Sequence, residues 1–303
     1  MTARTLRIAT RGSDLARWQA SHVAGLLDHD VEFVIIETSG DRDQHAPIWE
    51  IGGKGVFVKE VQAAVLDGRA DVAVHSAKDL PARTIEGLVL AAVPERGDPR
   101  DALVGSTLRD LPPGARVATG SVRRRVQLAD NRPDLTFAGL RGNIPTRLTK
   151  AADHHAIVVA AVALERLGLT AQVAEVLSPT VMLPQVAQGA LAVECRADDE
   201  MTRVALHGIE HADSRRAIDA ERAFLDELGG DCDLPAGAHA TVAEGVTLEG
   251  LLASLDGRVV LRHRATATEP EALGRAVARH LLDSGGALLL EDRPAGEDPR
   301  RGS

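Results

Sequence analysis

The chain has 303 residues, enough for two or three domains, and its 44% hydrophobic and 26% charged content is an ordinary globular balance. Acidic residues outnumber basic ones 44 to 35, a net charge of −9, and aromatics are 2% with no tyrosine. That composition excludes a general attraction for nucleic acid or anionic membrane and leaves no base-stacking platform. The longest apolar run, at 156–164, is well short of the roughly 18 residues a spanning helix needs. The opening MTARTLRIATRGS lacks a signal peptide's apolar core, and two cysteines, Cys195 and Cys232, cannot build a disulfide framework. A reduced, cytoplasmic enzyme or binder is expected.

The first 95 residues alternate strand and helix. LRIAT (6–10) predicts a strand and 13–28 a helix capped by Ser13. A strand at 31–38, a helix at 56–68 and a buried strand at 70–76 follow. Between them, 41–55 is polar and glycine-hinged, and is expected to form a mobile lid at a cleft mouth. A second unit starts near Asp98, with strands at 115–119, 135–140 and 156–164 and helices at 121–132 and 143–155. Its opening, Arg116-Val-Ala-Thr then Ser121, echoes Arg7-Ile-Ala-Thr then Ser13. Two α/β lobes with mostly parallel sheets are expected, the first covering 1–95 with a return segment at about 188–208, the second 98–184. Residues 212–303 read as a small α+β domain. A helix at 214–230 ends in Gly-Gly, an antiparallel meander turns at Asp256-Gly257, and a helix at 271–286 closes it.

The bases are placed unevenly. Arg11, Lys54, Lys78, Arg123, Arg124, Arg125, Arg141 and Arg147 fall in strand-to-helix loops or at helix starts, the edges that line a cleft between lobes. Arginines outnumber lysines 31 to 4, so a retained lysine hints at a need for a compact ammonium. A cationic cleft in an acidic chain implies a small polyanionic ligand. In HSAKDLP (75–81), His75 and Ser76 point to opposite faces of a strand, which rules out a Ser/His/Asp triad there. Asp79 beside Lys78 has the chemistry of a general acid/base, although spacing alone favours a turn or capping role. GGKG (52–55) fails the phosphate-loop pattern, and His154-His155 lacks further ligand spacing, so no metal is expected. Cys195 sits in the strand-like ALAVECR as a core thiol. Cys232 lies in a loop between Asp231 and Asp233, which argues against a thiolate kept activated but is compatible with a sulfur alkylated once.

RIATRGSDLARWQ (7–19), GGKGVFVKE (52–60), DVAVHSAKDLP (71–81), PERGDPRDAL (94–103), ATGSVRRRVQL (118–128), LRGNIPTRL (140–148), LPQVAQGALAVECR (183–196) and GGDCDLPAG (229–237) together resemble the hydroxymethylbilane synthase, or porphobilinogen deaminase, family. The resemblance implies two periplasmic-binding-protein-like α/β lobes around a cleft, plus a C-terminal α+β domain with a three-stranded antiparallel sheet. It implies head-to-tail condensation of four porphobilinogen molecules with release of ammonia, on a dipyrromethane cofactor held by thioether to Cys232, then hydrolysis to hydroxymethylbilane. Asp79 matches the family's catalytic aspartate. Arg11, Ser13, Lys78, Thr119, Ser121, Arg123, Arg124, Arg141 and Gly142 match its cofactor or substrate contacts, with Lys54, Phe57, Arg147 and Gln188 as further cleft residues. It also implies a monomer without nucleic-acid or membrane partners. Gly120, Pro145 and Asp231 depart from the usual pattern, which touches contact details and not the activity. A non-enzymatic two-lobed anion binder is the competing class, and it needs neither Asp79 nor Cys232.

Overall fold

The first strand, β1 (Leu6–Arg11), is so apolar that Leu6, Ile8, Ala9 and Thr10 are all buried, which places it inside a sheet covered on both faces. The structure, a computed structural model, describes residues 4–42, 57–230 and 234–291. Lys54, Cys232 and the expected lid from residue 43 onward lie outside the described residues. Ser13 is extended and its hydroxyl accepts from Ala16 N, starting helix α1 (Asp14–Leu26) with Ala16, Gln19, Ala20 and Val23 facing inward. Next come β2 (Val31–Ile36), the short α2 (Ser39–Arg42), α3 (Lys59–Leu66), β3 (Val72–Ser76) and β4 (Leu88–Ala92). The chain then crosses to a second lobe built from β5 (Asp101–Val104), β6 (Arg116–Ala118), α4 (Val122–Asn131), β7 (Thr136–Ala138), α5 (Ile144–Lys150), β8 (Ala156–Ala160), α6 (Ala161–Arg166) and β9 (Val173–Val176). It crosses back to β10 (Leu191–Arg196) and α7 (Glu200–His207).

The two sheets are copies in topology. Their orders are β2-β1-β3-β10-β4 and β7-β6-β8-β5-β9. In each, the first strand pairs in parallel with the second and third, while the fourth place is taken by a strand arriving from the other lobe and running antiparallel to both neighbours. The expectation of mostly parallel sheets holds for four strands of each, and one antiparallel strand, β10 or β5, makes each sheet mixed. The reason lies in the crossings: a segment entering from the opposite lobe approaches the sheet from the strands' carboxyl edge. The run 156–164, read as one strand, divides into β8 and α6, because five residues suffice to cross the sheet and the next apolar residues turn over its end. Four- and five-residue strands such as β4, β5 and β9 carry too few residues for a period to show.

The C-terminal domain packs α8 (Ala212–Glu227) and α9 (Pro270–Leu281) on the antiparallel sheet β11 (Ala236–Val242), β12 (Val246–Ala253) and β13 (Val260–Ala267). Gly257, at φ +73°, makes the hairpin turn that Asp256-Gly257 predicts. One apolar cluster runs from Leu80, Val93, Val186 and Ala190 into Ile218, Phe224, Leu248 and Val277, joining the first lobe to this domain.

The two crossings lie side by side. Gly97 N donates to Gly189 O at 3.2 Å, and a side chain on Gly189 (φ +92°) would overlap the Gly97 carbonyl. Glu221 of α8, fully buried, closes this junction. It accepts from Arg96 Nη1 at 2.6 Å and Nη2 at 3.1 Å, from Ala187 N at 2.6 Å and from Ala240 N at 2.8 Å. Ala187 holds φ +61°, a costly conformation for a residue with a Cβ, and its bond to Glu221 offsets part of that strain. Removing one partner of a buried ion pair leaves the other charge uncompensated, so Glu221→Ala is expected to lower unfolding free energy by about 3–5 kcal/mol. Urea denaturation measures this, and a loss below about 1 kcal/mol, the range of an exposed pair, would refute the junction's role.

Candidate active site

The carboxyl edges of both sheets and the starts of α1, α4 and α5 converge on the cleft. Ser121 Oγ accepts from Arg124 N at 3.4 Å and caps α4, and Asn143 Oδ1 accepts from Thr146 N at 3.0 Å and caps α5. Thr119 Oγ1 accepts from Ser121 N at 3.2 Å, so the first turn of α4 is fixed by two hydroxyls. These helix starts favour negative charge in front of them.

The floor of the cleft is organised by Asp101, at the first position of β5 and fully buried. Its Oδ2 accepts from Arg123 Nη2 at 2.7 Å, and its Oδ1 from Arg124 Nη2 at 2.7 Å, Arg124 Nε at 3.1 Å and Gln188 Nε2 at 2.8 Å. Burial alone would raise the Asp101 pKa, but Arg123 and Arg124 outweigh it and hold the carboxyl well below the usual range. Arg123 Nη1 also donates to Leu183 O at 2.6 Å, and Arg124 Nη1 to Val158 O at 3.0 Å. Both guanidiniums are buried, and most of their donors are committed within the protein.

Gln188, at 0% exposure, carries this arrangement across the cleft. Its Oε1 accepts from Lys78 Nζ at 3.1 Å, and its Nε2 also reaches Pro99 O at 2.7 Å. Lys78 and Asp79 occupy the 3₁₀ turn Ala77–Asp79 directly after β3. Burial, with Arg124 next in effect, pushes the Lys78 ammonium down to about 8, against the pull of Asp79 and Asp101. Arg147 Nε donates to Gly142 O at 2.7 Å, and burial together with Arg124 and Arg141 lowers its pKa to about 10, opposed by Asp79. Asp79 thus stands within electrostatic reach of Lys78 from its own lobe and Arg147 from the other. Arg141 Nη1 is buried with no hydrogen-bond partner among the described residues. On the first lobe, Arg11 stacks on the Phe57 ring at 4.3 Å, just before the Ser13 cap.

Sequence reasoning assigned no role to Asp101 or Arg96, although both lie in PERGDPRDAL. An acid opening a strand whose remaining residues are apolar is the signal that could have flagged Asp101. Arg125, the third base of its triplet, instead turns away and donates to Leu255 O of the C-terminal domain at 3.2 Å. A pocket with room for little more than a water-sized group, about 20 Å³, lies between Lys78, Gln185, Arg222 and Leu234, at the seam between the first lobe and the C-terminal domain. Cys195 is buried, and burial pushes its thiol up to about 11, a protonated core residue. Among the described residues no group of three or more His, Cys, Asp or Glu side chains is placed to hold a metal ion.

A family model described as "Porphobilinogen deaminase, dipyromethane cofactor binding domain" matches residues 6–204, and a second, "Porphobilinogen deaminase, C-terminal domain", matches 216–283. A porphobilinogen deaminase of Syntrophus aciditrophicus is 44% identical over 305 residues, covering 96% of this chain and 100% of the relative. One from Syntrophotalea carbinolica is 45% identical over 303 residues, covering 96% of each. Among solved structures, an arginine-specific periplasmic binding protein of Salmonella typhimurium is 14% identical with a TM-score of 0.37, covering 68% of this chain and 92% of its own.

The turn carrying Arg141 and Arg147 depends on Gly142, at φ +110°, where a Cβ would stand 2.8 Å from Thr146 Cγ2. Gly142→Ala is expected to cost about 1–3 kcal/mol of stability in backbone strain. A change under about 0.5 kcal/mol in the urea-derived value would show that the turn tolerates a side chain.

Proposed function

The chain belongs to the porphobilinogen deaminase family, and from that premise we propose how its residues work. The activity is hydroxymethylbilane synthase: a transferase joins four porphobilinogen molecules head to tail, releasing ammonia at each join, and hydrolysis then frees the linear tetrapyrrole. The observation that carries the residue assignments is one carboxylate, Asp79, standing among half-buried cations contributed by both lobes.

The donor set fits a dipyrromethane. Each pyrrole of that group and of the substrate bears an acetate and a propionate, so the site must meet many carboxylates with forked cationic donors. Arg141, with a buried Nη1 that has no partner among the described residues, and Arg147, committed at Nε, suit that task. When bound, the dipyrromethane supplies the pyrrole end to which the first substrate ring is joined. We assign its thioether attachment to Cys232, the thiol that needs no activation between turnovers. Arg11, Ser13, Lys78, Thr119, Ser121, Arg123, Arg124, Arg141 and Gly142 form the carboxylate cradle, with Phe57, Arg147 and Gln188 beside them, and Lys54 is assigned to the same task from its place in the sequence motif. Within the cradle, Arg123 and Arg124 supply charge from fixed positions, while Arg141 and Arg147 extend donors toward the ligand.

Asp79 accepts the substrate's pyrrole N–H at a carboxylate oxygen. It then stabilises the positive charge that develops on the substrate ring as the C–N bond breaks and ammonia leaves. The surrounding cations hold the substrate's carboxylates so that the reacting carbon faces it. A non-enzymatic anion binder would account for the cations but not for an acid placed among them, and the two family matches do not favour it.

We further propose a monomeric cytoplasmic protein with porphobilinogen as its partner and neither nucleic acid nor membrane. Its net charge of −9 argues against nucleic acid and anionic membrane surfaces, and no described helix is long and apolar enough to cross a membrane. Purified protein is expected to release one ammonia per porphobilinogen consumed. Asp79→Asn keeps size and one acceptor oxygen but loses the charge, and its turnover is expected to fall on the order of 10²–10³-fold. No ammonia release by the parent would remove the activity, and near-parental turnover of Asp79→Asn would remove the residue's role.

A further inference from the structure

The contacts around Asp101 do more than settle two buried arginines. The carboxylate belongs to the second lobe, yet one of its four donors is Gln188 of the returning crossing, and the other end of that amide receives Lys78 of the first lobe. The path Lys78 Nζ to Gln188 Oε1, then Gln188 Nε2 to Asp101 Oδ1, is two hydrogen bonds of 3.1 and 2.8 Å spanning the cleft. Gln188 is held from a third side by its bond to Pro99 O. An amide fixed in this way has no freedom to exchange its oxygen and nitrogen, because Asp101 and Pro99 demand donors and Lys78 demands an acceptor.

We infer that Asp101 is a positioning residue for the reaction: through Arg123 and Arg124 it fixes the cationic floor of the second lobe, and through Gln188 it ties that floor to Lys78 of the first. The inference rests on the activity proposed above and adds to it a group that touches no reactant. It follows that the spacing between the two lobes' cations is set by one buried carboxylate. The protonation of Lys78 follows the same carboxylate, since Asp101 and Asp79 favour its charged form while burial, Arg124 and Arg123 oppose it. Arg222 of α8 shares the small pocket beside Lys78.

The test uses two variants and two readouts. Asp101→Asn keeps the shape but brings an NH₂ group against arginine donors. Gln188→Met keeps the volume and leaves the Asp101 bonds to Arg123 and Arg124 in place, but removes the amide's three bonds, to Lys78, Asp101 and Pro99, and with them the link between the lobes. Because the chain has four lysines, Lys54, Lys59, Lys78 and Lys150, [¹³Cε]lysine NMR of the full-length loaded protein resolves Lys78, assigned with Lys78→Arg. Thermal midpoints identify variants that fail to fold. In both variants the Lys78 titration and the alkaline limb of the pH–rate profile are expected to move to lower pH, since each loses a group that favours the ammonium. The KM for porphobilinogen is expected to rise about tenfold to a hundredfold, the usual penalty for misplaced binding groups, with a smaller change in kcat. If Asp101→Asn does not fold, Gln188→Met decides alone. A folded Gln188→Met with parental KM, or with a raised KM and an unmoved Lys78 titration, would overturn the coupling. An inactive parent would fail the activity proposal instead, and the Lys78 titration would still report on the link.

Discussion

A carboxylate buried without compensation would simply take up a proton. Asp101 remains charged because two guanidiniums and an amide converge on it. Much of the cleft follows from that constraint. The arginines must leave the first turn of α4 in fixed directions, so the hydroxyls of Thr119 and Ser121 hold that turn. Arg123 must also reach the Leu183 carbonyl, which fixes the start of the returning crossing. The result is a cationic surface already in place before a ligand arrives, and little ordering remains to be done on binding.

The duplicated topology explains why such a surface forms between lobes and not within one. Each sheet lends its fourth place to a strand from the other lobe, so two segments must run between them in opposite directions. Those segments meet where Gly97 and Gly189 allow close approach, and the C-terminal domain inserts Glu221 against them. The third domain is therefore keyed to the crossing itself. It also grips α4, since Arg262 of β13 donates to Gln127 at 3.2 Å, one turn beyond Arg123.

Local signals in the sequence were informative where one residue type decides the structure. Ser13 and Ser121 cap helices, and Asp256-Gly257 makes a hairpin, because hydroxyl capping and a positive φ are short-range demands. Strand direction was not legible in the same way. Whether β5 and β10 run parallel or antiparallel to their neighbours depends on where the chain enters the sheet, a long-range property that leaves no local pattern. At the site, the positions of the bases pointed to an anion cleft, but nothing in the order RRR distinguishes Arg123 and Arg124, buried on Asp101, from Arg125, facing the C-terminal domain. Their partner lies 22 and 23 residues away, and only the fold brings it there.

On the function proposed above, this cationic cleft holds a covalently attached polycarboxylate on which a tetrapyrrole is built. Denaturing mass spectrometry of the freshly purified chain tests it most directly, with Cys232→Ser and Cys195→Ser alongside. A mass above that of the bare sequence by two pyrrole units is expected in the parent and in Cys195→Ser, and no excess in Cys232→Ser. The bare sequence mass in the parent, or an excess that survives in Cys232→Ser, would contradict it.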